Sequence, residues 1–138
     1  MIEVEPTADT AAPFAIRRTV FVAEQGIPEA EEFDDRDTAC THLLATASGR
    51  PVGTARLWLD GTEGRIGRVA VLAEARGRGV GARLVGTALG LLRDGGAGRV
   101  RLSAQTRATG LYRRLGFVEE GGIYDDVGIP HIDMVRDL

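Results

Sequence analysis

Between Arg65 and Ser103 the chain changes pattern twice. An apolar run, R-I-G-R-V-A-V-L (Arg65 to Leu72), passes through A-R-G-R-G-V-G (Ala75 to Gly81) into apolar residues at helical spacing, Val80, Leu84, Ala88 and Leu91. The Gly95-Gly96 pair ends that helix, and R-V-R-L-S (Arg99 to Ser103) follows as a second strand. A strand, helix, strand unit of this length is a parallel crossover, so at least part of the sheet is parallel. Gly67 inside the first strand predicts a bulge or a close backbone approach.

The flanks predict a mixed sheet. Ile2 to Glu5 alternates like a short strand that Pro6 ends, and Asp9 or Thr10 caps a helix through F-A-I-R-R-T-V-F-V-A-E-Q, closed by Gly26 and Pro28. The acidic run Glu29 to Asp35 reads as a loop or short helix of solvated charge. Thr41 to Ala47 and Val52 to Leu59 read as antiparallel strands across the S-G-R-P turn. A short helix from Thr106 to Leu115 stops at Gly116, and Phe117 to Gly121 and His131 to Arg136 are two last strands. The fold class is therefore α/β, a mixed sheet flanked by helices.

The 138 residues fit one domain, residues 1–138, with roughly two-thirds of the unfolded surface buried. A net charge of −3 argues against a nucleic-acid binder, and no stretch approaches a membrane span. The N-terminal residues lack the apolar core of a secretory signal. The lone Cys40 reads as a buried or idle thiol of a reducing compartment, so the cytoplasm is expected. His42 and His131 read as strand histidines with satisfied hydrogen bonds.

The glycine junction is where chemistry enters. A helix N-terminus presents unpaired amides and the positive end of the macrodipole, and glycines let an anion come close. Three phosphate-bearing ligands compete. A P-loop needs a lysine and the chain has none. A dinucleotide site nominally fits Gly77, Gly79 and Ala82 but needs an acidic residue near the end of the next strand, and R-V-R-L-S-A-Q carries none. The third ligand is the diphosphate of coenzyme A.

R-G-R-G-V-G-A (Arg76 to Ala82) resembles the R/Q-x-x-G-x-G/A signature of the GNAT acyltransferases, and L-Y-R-R-L-G-F (Leu111 to Phe117) resembles their second motif, Y-x-x-x-G-F. R-R-T-V-F-V-A-E-Q-G-I-P (Arg17 to Pro28) and G-I-P-H-I-D-M (Gly128 to Met134) are similar to stretches of small ElaA-like members, so the resemblance covers nearly the whole chain. It implies the GNAT fold, a central, mostly antiparallel mixed sheet of six to seven strands. It also implies an acetyl-CoA-dependent N-acetyltransferase acting on a small primary amine in a ternary complex, without a metal.

In this reading the backbone of Gly77, Arg78, Gly79, Val80, Gly81 and Ala82 binds the diphosphate, with Arg76 and Arg78 as charged partners. Val69, Ala70 and Val71 pair with the pantetheine arm, exposed if Gly67 bulges the strand. Tyr112 is similar in position to the general acid of many relatives, and Glu24, beside Gln25 in the acceptor region, is the candidate base. Similar members often carry a histidine at Ser103, and some place an asparagine before the tyrosine helix. The chain has no asparagine, and Gln105 stands nearby. A non-catalytic acyl-CoA-binding module and, more distantly, a nucleotide-binding oxidoreductase are the alternatives. Exposed late strand edges suggest a homodimer.

Overall fold

Seven strands form one sheet in the order β1-β2-β3-β4-β5-β7-β6 in the computed structural model, which describes residues 1–138. They are β1 (Ile2–Thr7), β2 (Thr41–Ala47), β3 (Arg50–Asp60), β4 (Glu63–Val71), β5 (Arg99–Gln105), β6 (Val118–Asp126) and β7 (Ile129–Asp137). Only β4 and β5 run parallel, through the crossover helix α3 (Val80–Asp94). The expected mixed, mostly antiparallel sheet is thus observed.

Turn chemistry sets the hairpins. Ser48 and Gly49 both have positive φ (50° and 82°), which makes a two-residue link from β2 to β3. Strand β3 therefore starts at Arg50 rather than at Val52. Pro51 sits at a register shift, where its missing N–H breaks no regular ladder. Pro6 likewise does not end β1. On an edge strand a proline is tolerated, and Pro6 pairs opposite Leu43. Val127 and Gly128 (φ 47° and 80°) make the same turn between β6 and β7, so the final strands extend well beyond their expected limits.

Helix α3 buries Val80, Leu84, Val85, Ala88, Leu89 and Leu92 against the sheet. It lies so close that a Cβ on Gly53 would stand 3.0 Å from both Leu84 and Val80. The other face of β3 and β4 is covered by α1 (Ala11–Arg17), whose N-cap Thr10 makes no side-chain bond and whose first N–H, of Ala11, donates to the Asp9 carboxylate at 2.9 Å. The chain continues through Arg18–Glu24 in wider turns, with the Gln25 N–H bonded to Val20 O, and Ile16, Val20, Phe21 and Ile27 pack on Ala70.

In the acidic run Glu29, Glu31, Asp34 and Asp35 are exposed, as expected of solvated charge, and Glu32 is the exception. Glu29–Glu32 forms the short α2, and Glu32, with Asp37 just beyond the run, lies buried with Arg17, which is 1% exposed. Arg17 Nε donates to Glu32 Oε2 at 3.0 Å, and its NH1 donates to Asp37 Oδ1 at 2.7 Å. Arg56 adds two bonds to Asp34 and one to Asp37. The guanidinium groups outweigh desolvation at Asp37, whose carboxyl is held below its ordinary value, whereas at Glu32 desolvation prevails and raises it.

Candidate active site

Strands β4 and β5 pair only from Glu63 to Ile66 against Arg99 to Leu102, and then part. The cause is a bulge. Arg56 pairs with Gly67 and Thr54 with Ala70, so Arg68 and Val69 share the single partner Ala55. Gly67 keeps its register and a Cβ there would meet only ordinary contacts, so the bulge lies one residue later than the glycine predicted. Arg68 carries it with φ 51°, a conformation costly for arginine. Its guanidinium is anchored to the backbone carbonyl and carboxylate of Glu32, both at 3.1 Å.

The parting opens a cavity of about 440 Å³, walled by Val69, Ala70 and Val71 on one side and Ser103 and Gln105 on the other. Leu72 N–H donates to Val52 O at 2.8 Å, so strand alternation turns the Val71 amide to the opposite edge, toward the gap. The Val71 carbonyl is occupied by Arg76 Nε at 3.0 Å.

At one end of the gap stands the turn into α3. Gly77 and Gly79 have φ of 79° and 77°, and no amide from Gly77 to Ala82 donates to a protein acceptor. Six consecutive N–H groups are left for an anion at the positive end of a 15-residue helix. Arg78 is exposed and without an ion pair, whereas Arg76 is committed, its NH1 and NH2 gripping both oxygens of Glu24 at 2.7 and 2.8 Å. The grip holds the Glu24 carboxyl below its usual range. A carboxylate so paired is a poor proton acceptor, and this corrects the expectation that Glu24 is the base.

Helix α4 (Thr109–Arg114) packs against the start of α3, and a Cβ on Gly81 would lie 3.3 Å from Leu111. On α4, Tyr112 is 7% exposed, lines the cavity, and has no hydrogen-bond partner for its hydroxyl within the protein. Burial pushes its phenol up to about 12, so it is a protonated donor at neutral pH. Its ring meets Phe117 edge to face at 6.0 Å, just past the helix end at Gly116 (φ 89°). The far wall is closed by Gln105, whose Nε2 donates to Gln25 Oε1 at 2.8 Å.

His42 is buried and Nε2 lies 2.8 Å from Asp37 O, a structural role. His131 is, as expected, a strand histidine with one ring nitrogen bonded, and it also lines the cavity. Cys40 is half-buried, and burial raises its thiol. No cluster of side chains fit to hold a metal ion is present, and no helix is long and apolar enough to cross a membrane.

A sheet split beside a glycine-lined helix start, with a buried tyrosine across the gap, is the arrangement expected of an acyl-CoA transferase. Comparison with known proteins agrees: residues 11–117 match the Acetyltransferase (GNAT) family. An N-acetyltransferase of Bacillus subtilis strain 168, YjcF, not itself characterised, is 34% identical over 125 residues, 90% of this chain and 89% of its own. An acyl-CoA N-acyltransferase from Pseudomonas aeruginosa superposes with a TM-score of 0.84 at 34% identity, covering 99% of this chain and 98% of that one. Escherichia coli ElaA superposes at 0.87 with 29% identity, over 99% and 100%. The chain belongs to the GNAT acetyltransferase family, whose members transfer acyl groups from acyl-CoA.

Proposed function

We propose that the protein transfers the acetyl group of acetyl-CoA to the primary amine of a small acceptor, by direct attack while both substrates are bound. The observation that carries this is adjacency: Val71, Arg76 and Tyr112, whose hydroxyl is unpartnered, line the split in the sheet, and the unbonded amides of Gly77 to Ala82 begin one residue past Arg76, with Gly81 packed near Val71 and Leu111.

The amides and the free Arg78 hold the diphosphate, through charge-assisted bonds of roughly 1.5–3 kcal/mol each. The pantetheine arm lies along β4 as an added strand, using Val69 and Val71. One of their N–H groups stabilises the charge that grows on the thioester oxygen. The acceptor's ammonium group first loses one proton to solvent, because only the neutral nitrogen carries the attacking lone pair. That nitrogen then bonds to the carbonyl carbon and sheds a second proton to a base in the cavity, the C–S bond breaks, and Tyr112 gives its proton to the departing sulfur. The phenolate then recovers a proton from the solvent-open mouth.

The acceptor enters as a cation. Among the carboxylates lining the cavity, Glu31 and Asp126 have no arginine partner, so they attract an ammonium group. The test is thiol release from acetyl-CoA against a library of primary amines, with Tyr112→Phe beside the parent. Turnover with at least one amine, lost in the variant, supports the reading. Tight acetyl-CoA binding with no turnover on any amine makes the protein a binding module and refutes it.

A further inference from the structure

We propose that His131 is the general base of the transfer and that Tyr124 and Asp133 position its ring, a proposal resting on the acetyl-transfer reading above. His131 lies on β7, opposite Gln105 of β5 and Tyr124 of β6, and its ring borders the same cavity as Ser103 and Tyr112. Its Nδ1 is 2.7 Å from the Ile129 carbonyl oxygen. A carbonyl only accepts, so Nδ1 carries the proton of the neutral ring and Nε2 is left with a lone pair. Nε2 has no partner within the protein, and it is not among the buried polar atoms left unbonded, so it is open to the cavity side.

The ring is clamped. Tyr124 stacks on it at 6.1 Å and 25°, and the Tyr124 hydroxyl donates to Asp133 Oδ1 at 2.6 Å. An ionised carboxylate can only accept, so the same hydroxyl takes its second hydrogen bond from Ser103 O–H. The three strands thereby hold the imidazole plane in one orientation. Tyr124 of β6 faces the ring, and the charged groups that line the same cavity are Asp126 of β6, Arg107 beyond the end of β5, Arg68 of β4, Arg76, and Glu24, Glu31 and Glu32 from the first helical segments, with Asp133 of β7 held on the Tyr124 hydroxyl. Among these Glu24 is occupied by Arg76, while Asp126 has no arginine partner. The step balances: as nitrogen bonds to the thioester carbon, its N–H bond breaks and the proton passes to Nε2. Nδ1–H stays on Ile129 O, and the imidazolium later loses the Nε2 proton to water.

The test uses the parent, His131→Gln, His131→Ala and Tyr124→Phe, with thiol release measured across pH and acetyl-CoA binding by calorimetry. The proposal expects kcat to fall about 10²–10⁴-fold in both His131 variants, acetyl-CoA affinity to stay within about twofold, and the acid limb of kcat/KM to vanish. Added imidazole restores turnover to His131→Ala and not to His131→Gln. Tyr124→Phe, which keeps the stacking and loses the anchor, lowers kcat less and keeps the acid limb. A His131→Gln enzyme within about threefold of the parent and with the acid limb intact overturns the proposal. So does loss of acetyl-CoA binding in both His131 variants, which marks a structural role. A parent that turns over no amine defeats the transfer reading itself, and that result is read without any variant.

Discussion

Replacing Gly79 by alanine separates what the glycine does for the fold from what it does for the carrier. Gly79 precedes α3 with φ 77°, and a Cβ there would meet nothing within 4 Å. The folding cost is therefore backbone strain alone, about 1–2 kcal/mol for a left-handed alanine. For a chain of this length that lowers Tm by about 3–8 °C. Gly49, in the β2–β3 turn, has φ 82° and equally open space, so Gly49→Ala carries the same strain in a turn that does not line the cavity. The difference lies in binding. In Gly79→Ala the methyl group stands on the amide side of the turn, or the backbone relaxes and turns an amide away. Losing one charge-assisted bond costs about 1.5–3 kcal/mol, so Kd for CoA rises about ten- to hundred-fold. Gly49→Ala leaves Kd unchanged. Thermal melts and calorimetry on the pair check both halves. Equal Kd in the two variants would refute the cradle, and an unchanged Tm in both would refute the strain argument.

Tyr112→Phe lowers kcat by about 10²–10⁴-fold while leaving neutral-pH stability within about 0.5 kcal/mol, because the hydroxyl makes no protein hydrogen bond. Its alkaline behaviour also changes. The native phenol titrates near 12 against an ordinary value of 10, so its stabilising contribution is full below pH 10 and is lost as pH rises toward 12. Urea titrations at rising pH should show the parent losing about 2–3 kcal/mol more than the variant. Asp34 has the opposite sign: Arg56 holds it at about 2, below its ordinary 3.8, so its contribution fades as pH falls through that window. Asp34 is partly exposed, so Asp34→Asn flattens acid unfolding by less than about 1 kcal/mol in denaturant melts near pH 3. Arg17→Ala leaves Glu32 with Arg68 and Asp37 with Arg56 as their remaining partners, so by chemical denaturation it costs less than the about 3–5 kcal/mol of a fully unpaired buried charge.

The crossover and its glycine turn were legible because they are local. Apolar spacing along α3 and the glycines around Arg78 state the geometry without help from distant residues. Tyr112 was legible as part of Y-x-x-x-G-F. Interactions between distant positions were not. Glu24 and Arg76 are 52 residues apart, and nothing near Glu24 signals that its carboxylate is taken. Arg17 pairs with Glu32, the buried member of an acidic segment that by itself reads as solvated charge. The bulge fell on Arg68 rather than Gly67 because Glu32 supplies the anchor that makes a left-handed arginine tolerable. His131 already stood at the start of its expected strand, but that it lines the cavity depends on the split between β4 and β5, which no local pattern states.

The most direct test follows the backbone amides of residues 77–82 by NMR while CoA is titrated against the ¹⁵N-labelled protein, with pantetheine, which lacks the diphosphate, as the comparison ligand. The account predicts large shifts of these six resonances with CoA and small ones with pantetheine, while Val69 and Val71 respond to both. Resonances from 77 to 82 that stay still as CoA saturates the protein, or that move equally with pantetheine, would contradict it.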